Sequence, residues 1–180
     1  MKEKLEKELS NLPKDFVVLT ILPKEQFRDL NLHLVDIMVN QKKIRGAYVS
    51  VNWSYPLIVK MMQKRGIDHK NLFFIDCISK GLKTEADNCL FLESAQSLTN
   101  ISISLEPIYR SKEDYFILLD SLDALSLYHK TNLIVRFARN LIDKVRKHNK
   151  SGVIVGLHEE TDSRIITDLS MVCDKVIDLT

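Results

Sequence analysis

Phe16-Val-Val-Leu-Thr-Ile-Leu22-Pro-Lys-Glu-Gln-Phe-Arg-Asp29 joins an apolar run whose one polar member is Thr20 to a polar segment that opens on proline. A short run of this kind has the length of a strand, and its continuous apolar character suits a strand covered on both faces. Pro23, Glu25 and Asp29 then read as a helix N-terminus. Proline loses nothing in a first turn whose N–H is unpaired anyway, and carboxylates complement the positive end of the helix dipole. A strand followed directly by a helix is the unit from which parallel sheets are built.

The same unit recurs along the chain. Further strands are predicted at 47–51, 72–76, 116–120, 153–157 and 176–179. Between them, Phe27, Leu30, Leu34, Ile37 and Met38 mark one helix face, Leu57, Ile58, Met61 and Met62 another, and Ile165, Ile166, Leu169 and Val172 a third. The clearest helix covers 131–148, where Leu133/Ile134, Phe137/Ala138, Leu141/Ile142 and Val145 recur every four residues as a core-facing stripe. The expected fold class is therefore α/β, in three layers, with a mostly parallel central sheet and helices on both faces. Leu5, Leu9 and Leu12 suggest a leading helix within 1–13, ended by Pro13, before a core at 14–179, so that 1–180 is one domain. Within 81–108, Leu90-Phe-Leu-Glu93 reads as a short strand and 95–105 as a helix rich in Ser and Thr.

Composition narrows the function classes. The 180 residues are 45% apolar and 28% charged, which is ordinary for a globular domain able to bury its own core. No apolar run is long enough to span a bilayer, and the charged N-terminus lacks the apolar region of a signal peptide, so a cytoplasmic protein with no membrane partner is expected. Cys77, Cys89 and Cys173 are odd in number and widely spaced, which suits reduced thiols better than disulfides or a zinc site. A net charge of +2 exerts no global pull toward nucleic acid. Only the stripe Arg136, Arg139, Lys144, Arg146 and Lys147, against the single acid Asp143, could meet phosphates locally, and it lacks interleaved aromatics for base stacking. The common hydrolase, protease and dehydrogenase motifs, G-x-S-x-G, H-E-x-x-H and G-x-G-x-x-G, are not found.

Phe116-Ile-Leu-Leu-Asp120-Ser-Leu-Asp-Ala-Leu125 has the Walker B form, an apolar strand that delivers an aspartate at its end. Upstream lie Ile44-Arg-Gly-Ala-Tyr-Val-Ser-Val-Asn52 and Leu72-Phe-Phe-Ile-Asp-Cys77; downstream come the long helix and Cys173-Asp-Lys-Val-Ile-Asp-Leu179. In this order, roughly residues 14–179 resemble the archaeal KaiC-like branch of the RecA superfamily. The resemblance implies a RecA-type core in which the 153–157 strand lies between the first strand and the Walker B strand. It also implies an ATP and magnesium site at the carboxyl edge of the sheet.

The motifs of that site are degenerate. Where the family carries the glycine-rich loop G-x-x-x-x-G-K-[ST], residues 22–29 contain no glycine, so the bare backbone N–H groups that wrap a phosphate are missing. The loop's lysine would fall at Arg28 and its hydroxyl at Asp29, an acid that repels phosphate; Lys24 is an alternative contact. The catalytic Glu-Glu pair is replaced by Asn52-Trp53, neither of which is a base. Trp53 would be a lid, an interface anchor or simply half-buried. Asp120 keeps the magnesium position. Arg28, Asp29 and Asp120 are thus the vestigial cofactor-binding positions; no catalytic residue, no resident metal and no cofactor is expected. His158, Glu159 and Glu160 follow the fifth strand where the family places a polar sensor, and could converge with Asp120 and Asp76 on a divalent metal. The plainer alternative is a solvated loop that caps the next helix.

The expected function is a catalytically inactive RecA/KaiC-like domain serving as a protein-interaction or regulatory module in signal transduction, with an active relative or as a homo-oligomer. The alternatives are a residual nucleotide-binding switch without hydrolysis and a nucleic-acid-binding module on the basic helix.

Overall fold

Among the described residues seven strands form one sheet in the order β4-β3-β2-β5-β6-β1-β7, and every neighbouring pair is parallel. They are β1 (Val17–Leu22), β2 (Arg45–Ser50), β3 (Leu72–Asp76), β4 (Cys89–Phe91), β5 (Tyr115–Asp120), β6 (Ser151–Leu157) and β7 (Lys175–Asp178). The structure is a computed structural model and describes residues 1–79 and 86–180. The beginning of the expected 81–108 segment lies outside those residues.

Successive strand residues point to opposite faces, and the two faces bury different helices. Val17, Leu19 and Ile21 of β1 join a core with α4 (Leu98–Ser104), α5 (Glu106–Arg110), α6 (Leu122–Leu125), α7 (Thr131–Lys147) and α8 (Ser163–Ser170). Val18 and Leu22 join the opposite core with α1 (Lys2–Ser10), α2 (Phe27–Asp36) and α3 (Tyr55–Lys64). Each buried Val, Leu or Ile side chain contributes about 1.5–3 kcal/mol, so two-sided burial is what makes the uninterrupted apolar runs into strands. The expected three-layer α/β fold is observed, and β6 lies between β1 and β5.

Several boundaries differ from expectation. The helix expected at 95–105 is the shorter α4, Leu98–Ser104, and α5 follows it beyond the expected end, at Glu106–Arg110. Ser97 caps α4 by accepting from the Asn100 N–H at 3.1 Å, and Pro107 fits the first turn of α5. Ser and Thr compete with the helix for backbone hydrogen bonds, which blurs such ends in the sequence. The short strand is Cys89–Phe91, and α1 stops at Ser10, before Pro13. On α7 the stripe is buried at Ile134, Phe137, Ala138, Leu141, Ile142 and Val145, but Leu133 is 40% exposed, because it lies at the margin of the face that meets the sheet.

Candidate functional site

Three parallel strands deliver polar residues to one row at the carboxyl edge: Asp76 of β3 pairs with Ser50 of β2, and Ser50 with Asp120 of β5. Asp120 is fully buried. Its Oδ2 accepts from the Tyr48 hydroxyl on β2 and, at 3.3 Å, from the Asn31 amide on α2. Its Oδ1 accepts from the Asn52 amide at 2.9 Å. Asn31 also donates to the Tyr48 oxygen at 2.7 Å, and Asn52 to Ser121 Oγ at 2.9 Å, which in turn donates to Asp123 at 2.7 Å. Burial pushes the Asp120 carboxyl up to about 6, against the opposing pull of the hydrogen bonds from Tyr48, Asn52 and Asn31, and the Asp123 charge adds to the rise. Burial, with the neighbouring Asp120, holds the Tyr48 phenol well above its ordinary range.

A magnesium ion needs near-octahedral oxygen ligation with room for water and phosphate beside its carboxylate. Both oxygens of Asp120 are instead engaged by protein donors and walled from solvent, so the residues present do not fit a magnesium-bound triphosphate.

The segment after β1 confirms the poor fit from the other side. Pro23 leads into a single tight turn, Lys24–Gln26, and α2 starts only at Phe27. Arg28 is exposed. Asp29 turns toward the chain's own cations: Lys2 of α1 at 2.8 Å, and Arg65 after α3, which also donates to the Asp29 carbonyl at 3.1 Å. Those hydrogen bonds hold its carboxyl below the usual range. No hydrogen bond or ion pair links Arg28, Asp29 and Asp120 among the described residues. Lys24 pairs with Glu160 at 2.5 Å. Phe27, at the start of α2, packs on Trp53 with ring centroids 5.1 Å apart, so an apolar pair covers the edge between α2 and the end of β2. Trp53 is half-buried against Phe27, as its plainest reading has it.

Asp76 has a structural task. It accepts from the N–H groups of Tyr55 at 2.7 Å, Ile78 at 2.8 Å and Ser79 at 2.9 Å, and from the Ser79 hydroxyl, which ties the end of β3 to the start of α3. Of the two readings of His158, Glu159 and Glu160, convergence with Asp120 and Asp76 is not seen, and the plainer one, a solvated loop before the next helix, is what the structure has. The three residues line a separate open cavity of about 660 Å³ with His129 and Lys130. The turn after β6 closes through Thr161, whose hydroxyl accepts from the Leu157 N–H at 3.0 Å, and leads straight into α8, capped by Asp162. Among the described residues no three His, Cys, Asp or Glu side chains are grouped to hold a metal.

Three of the five cations on α7 are spoken for. Arg139 pairs with Asp168 at 2.8 Å, Arg146 with Asp174 at 3.1 Å, and Lys144 with Glu106.

Asn31 and Tyr48 were not foreseeable as partners of Asp120 from any motif. One signal was there: Asn31 lies four residues after Phe27 and three before Leu34, a polar residue on an apolar helical stripe, and such a residue needs a buried partner.

The sequence matches no protein-family model and no curated protein. Among solved structures, the chain is similar to the uncharacterized protein PH0321 from Pyrococcus horikoshii in complex with an unknown peptide, at a TM-score of 0.66 and 14% identity over 98% of this chain and 82% of that one. It is also similar to the KaiC-like protein PH0186 from Pyrococcus horikoshii OT3, at a TM-score of 0.64 and 11% identity over 93% of this chain and 72% of that one. In the described residues no helix is long and apolar enough to cross a membrane. At these identities the likeness is one of fold, and the fold is the RecA-type, KaiC-like α/β sandwich.

Proposed function

We propose that this chain is a KaiC-like domain of the archaeal type whose phosphate loop has degenerated, and that it works in the cytoplasm as a protein-interaction or regulatory module without ATP hydrolysis. The observation that carries the reading is the sealing of Asp120 by Asn31, Tyr48 and Asn52. With two donors on Oδ2, one on Oδ1 and no exposure to solvent, Asp120 has no open face to offer a hydrated magnesium ion. The glycine-free 22–29 segment, the Phe27–Trp53 cover and the Asn52-Trp53 replacement of the catalytic acids point the same way. A structural neighbour of this fold, PH0321, was solved in complex with a peptide, which makes peptide binding a natural use for the frame. The partner is an active relative, a second copy or another protein.

The test is a calorimetric and thermal-shift titration of the full chain with ATP and magnesium, since a ligand that binds the native state raises its melting point by mass action. The expected result is no heat and no shift at millimolar nucleotide. A shift that disappears in Asp120→Ala would establish a nucleotide switch in its place.

A further inference from the structure

An open groove runs between α4 and α7. Leu98, Thr99 and Ser102 of α4 face Leu133, Arg136, Phe137 and Asn140 of α7 across a cavity of about 430 Å³. The α7 positions are spaced three and four apart, which puts them on one side of the helix; Leu133, Arg136 and Asn140 lie at the outer margin, and Phe137, only 6% exposed, shows the groove little more than its edge. Leu133 is the member of the expected core stripe that stays 40% exposed, and Ile103, one turn beyond Thr99 on α4, is 61% exposed. Arg136 stands among these apolar groups without an ion pair in the described residues, whereas Arg139, Lys144 and Arg146 each have an acid of this chain beside them. A long cationic side chain flanked by Leu133, Leu98 and Phe137 gains most from a carboxylate delivered by something that also covers the apolar surface, because the covered pair is shielded from water and salt.

We propose that the α4–α7 groove binds an acidic amphipathic segment of a partner protein, whose apolar side chains lie on Leu98 and Leu133 against the edge of Phe137 and whose Asp or Glu pairs with Arg136. Helices with anchors three and four residues apart bind grooves of this form. Asn140, Ser102 and Thr99 supply hydrogen-bonding groups at the margin. The inference rests on the interaction-module reading and gives it a place and a partner chemistry.

The test uses the full chain and two fluorescein-labelled peptides. One carries Leu at every third and fourth position with Glu between; its twin carries Lys in place of each Glu. The Glu peptide is expected to bind at least about tenfold more tightly than the Lys twin, a difference of about 1.4 kcal/mol. Arg136→Glu should reverse that preference, and Leu133→Asp should abolish binding of the Glu peptide. Both sites are at the surface, and unchanged circular dichroism melting shows that the variants fold; should Leu133→Asp fail to fold, the preference reversal in Arg136→Glu decides alone. Equal binding of the two peptides, no binding of either, or a preference unmoved by Arg136→Glu overturns the groove. Failure of the groove leaves the inactive-module reading in place, because that reading falls only to nucleotide binding in the calorimeter.

Discussion

The Tyr48 hydroxyl donates to Oδ2 of Asp120, and neither side chain reaches solvent. Asp120 titrates near 6 in the folded chain, against about 3.9 for an aspartate in an unfolded one. A carboxyl with a raised folded value favours the native state while it is protonated. Its contribution is therefore complete below about pH 4 and is lost as pH rises through 6, a change on the order of 3 kcal/mol. Asp120→Asn removes the titration. The amide nitrogen cannot accept where a carboxyl oxygen did, so the variant loses a constant amount at every pH, but its stability relative to wild type should rise between pH 4 and pH 8, as read from paired thermal melts across that range. A constant difference at all pH values would mean that Asp120 is not held in the state described.

Tyr48→Phe tests the same cluster from the donor side. It removes the hydroxyl that Asp120 relies on and strands the Asn31 amide, whose other contact with Asp120 is longer, at 3.3 Å. An unsatisfied buried partner costs about 1–3 kcal/mol, more for a charged one. Urea denaturation should show the loss at pH 8, with a smaller loss at pH 4, where the protonated carboxyl no longer needs a donor for its charge. Equal losses at both values would separate Tyr48 from the ionisation.

Much of the frame was legible, because two-sided burial writes itself as uninterrupted runs such as Phe116-Ile-Leu-Leu and because α7 repeats its apolar pair every four residues. In the site Asp120, Asn52 and Asp76 were legible as positions, and the contact of Asn52 with Asp120 was not. The partners of Asp120 come from positions 31, 48 and 52, and the partners of Asp29 from positions 2 and 65; the pairing of β2 with β5 brings Tyr48 and Asn52 to Asp120, and the packing of α1, α2 and α3 brings the others. Degenerate positions also lose the residue types that make a motif readable, so Arg28 and Asp29 had nothing but register to place them. Leu133 illustrates a different limit: periodicity locates a stripe, and which of its members stay exposed depends on how the helix is turned against the sheet.

The Phe27–Trp53 pair makes a spectroscopic prediction. Trp53 is the sole tryptophan, so its emission reports the cover over the α2–β2 edge alone. Phe27→Ala removes a nearly buried ring, for a loss of roughly 3 kcal/mol, and bares one face of the indole. Emission should shift to the red and acrylamide quenching should rise. Adding ATP and magnesium to wild type should change neither. An unaltered spectrum in Phe27→Ala would show that Trp53 is covered by something other than this contact.

Gly46 ties the backbone of the sheet to the same cluster. It sits in β2 between β3 and β5, where a Cβ would lie 2.4 Å from Phe116 Cζ and 2.6 Å from Leu72 Cδ2. The Phe116 ring is fully buried and cannot swing away, and β2 is held on both edges. Overpacking of this kind costs typically 1–3 kcal/mol, and Gly46→Ala should be at or above the upper end of about 3 kcal/mol because two neighbours are struck at once. Displacement of β2 against β5 would also draw Tyr48, two residues on, away from Asp120, so the variant should lose part of the pH dependence that Asp120 confers. Phe116→Leu vacates the end of the ring and should recover part of the loss in the double variant, a non-additivity expected only of residues in contact. Strictly additive losses in urea melts would place the glycine's role elsewhere than in this close approach.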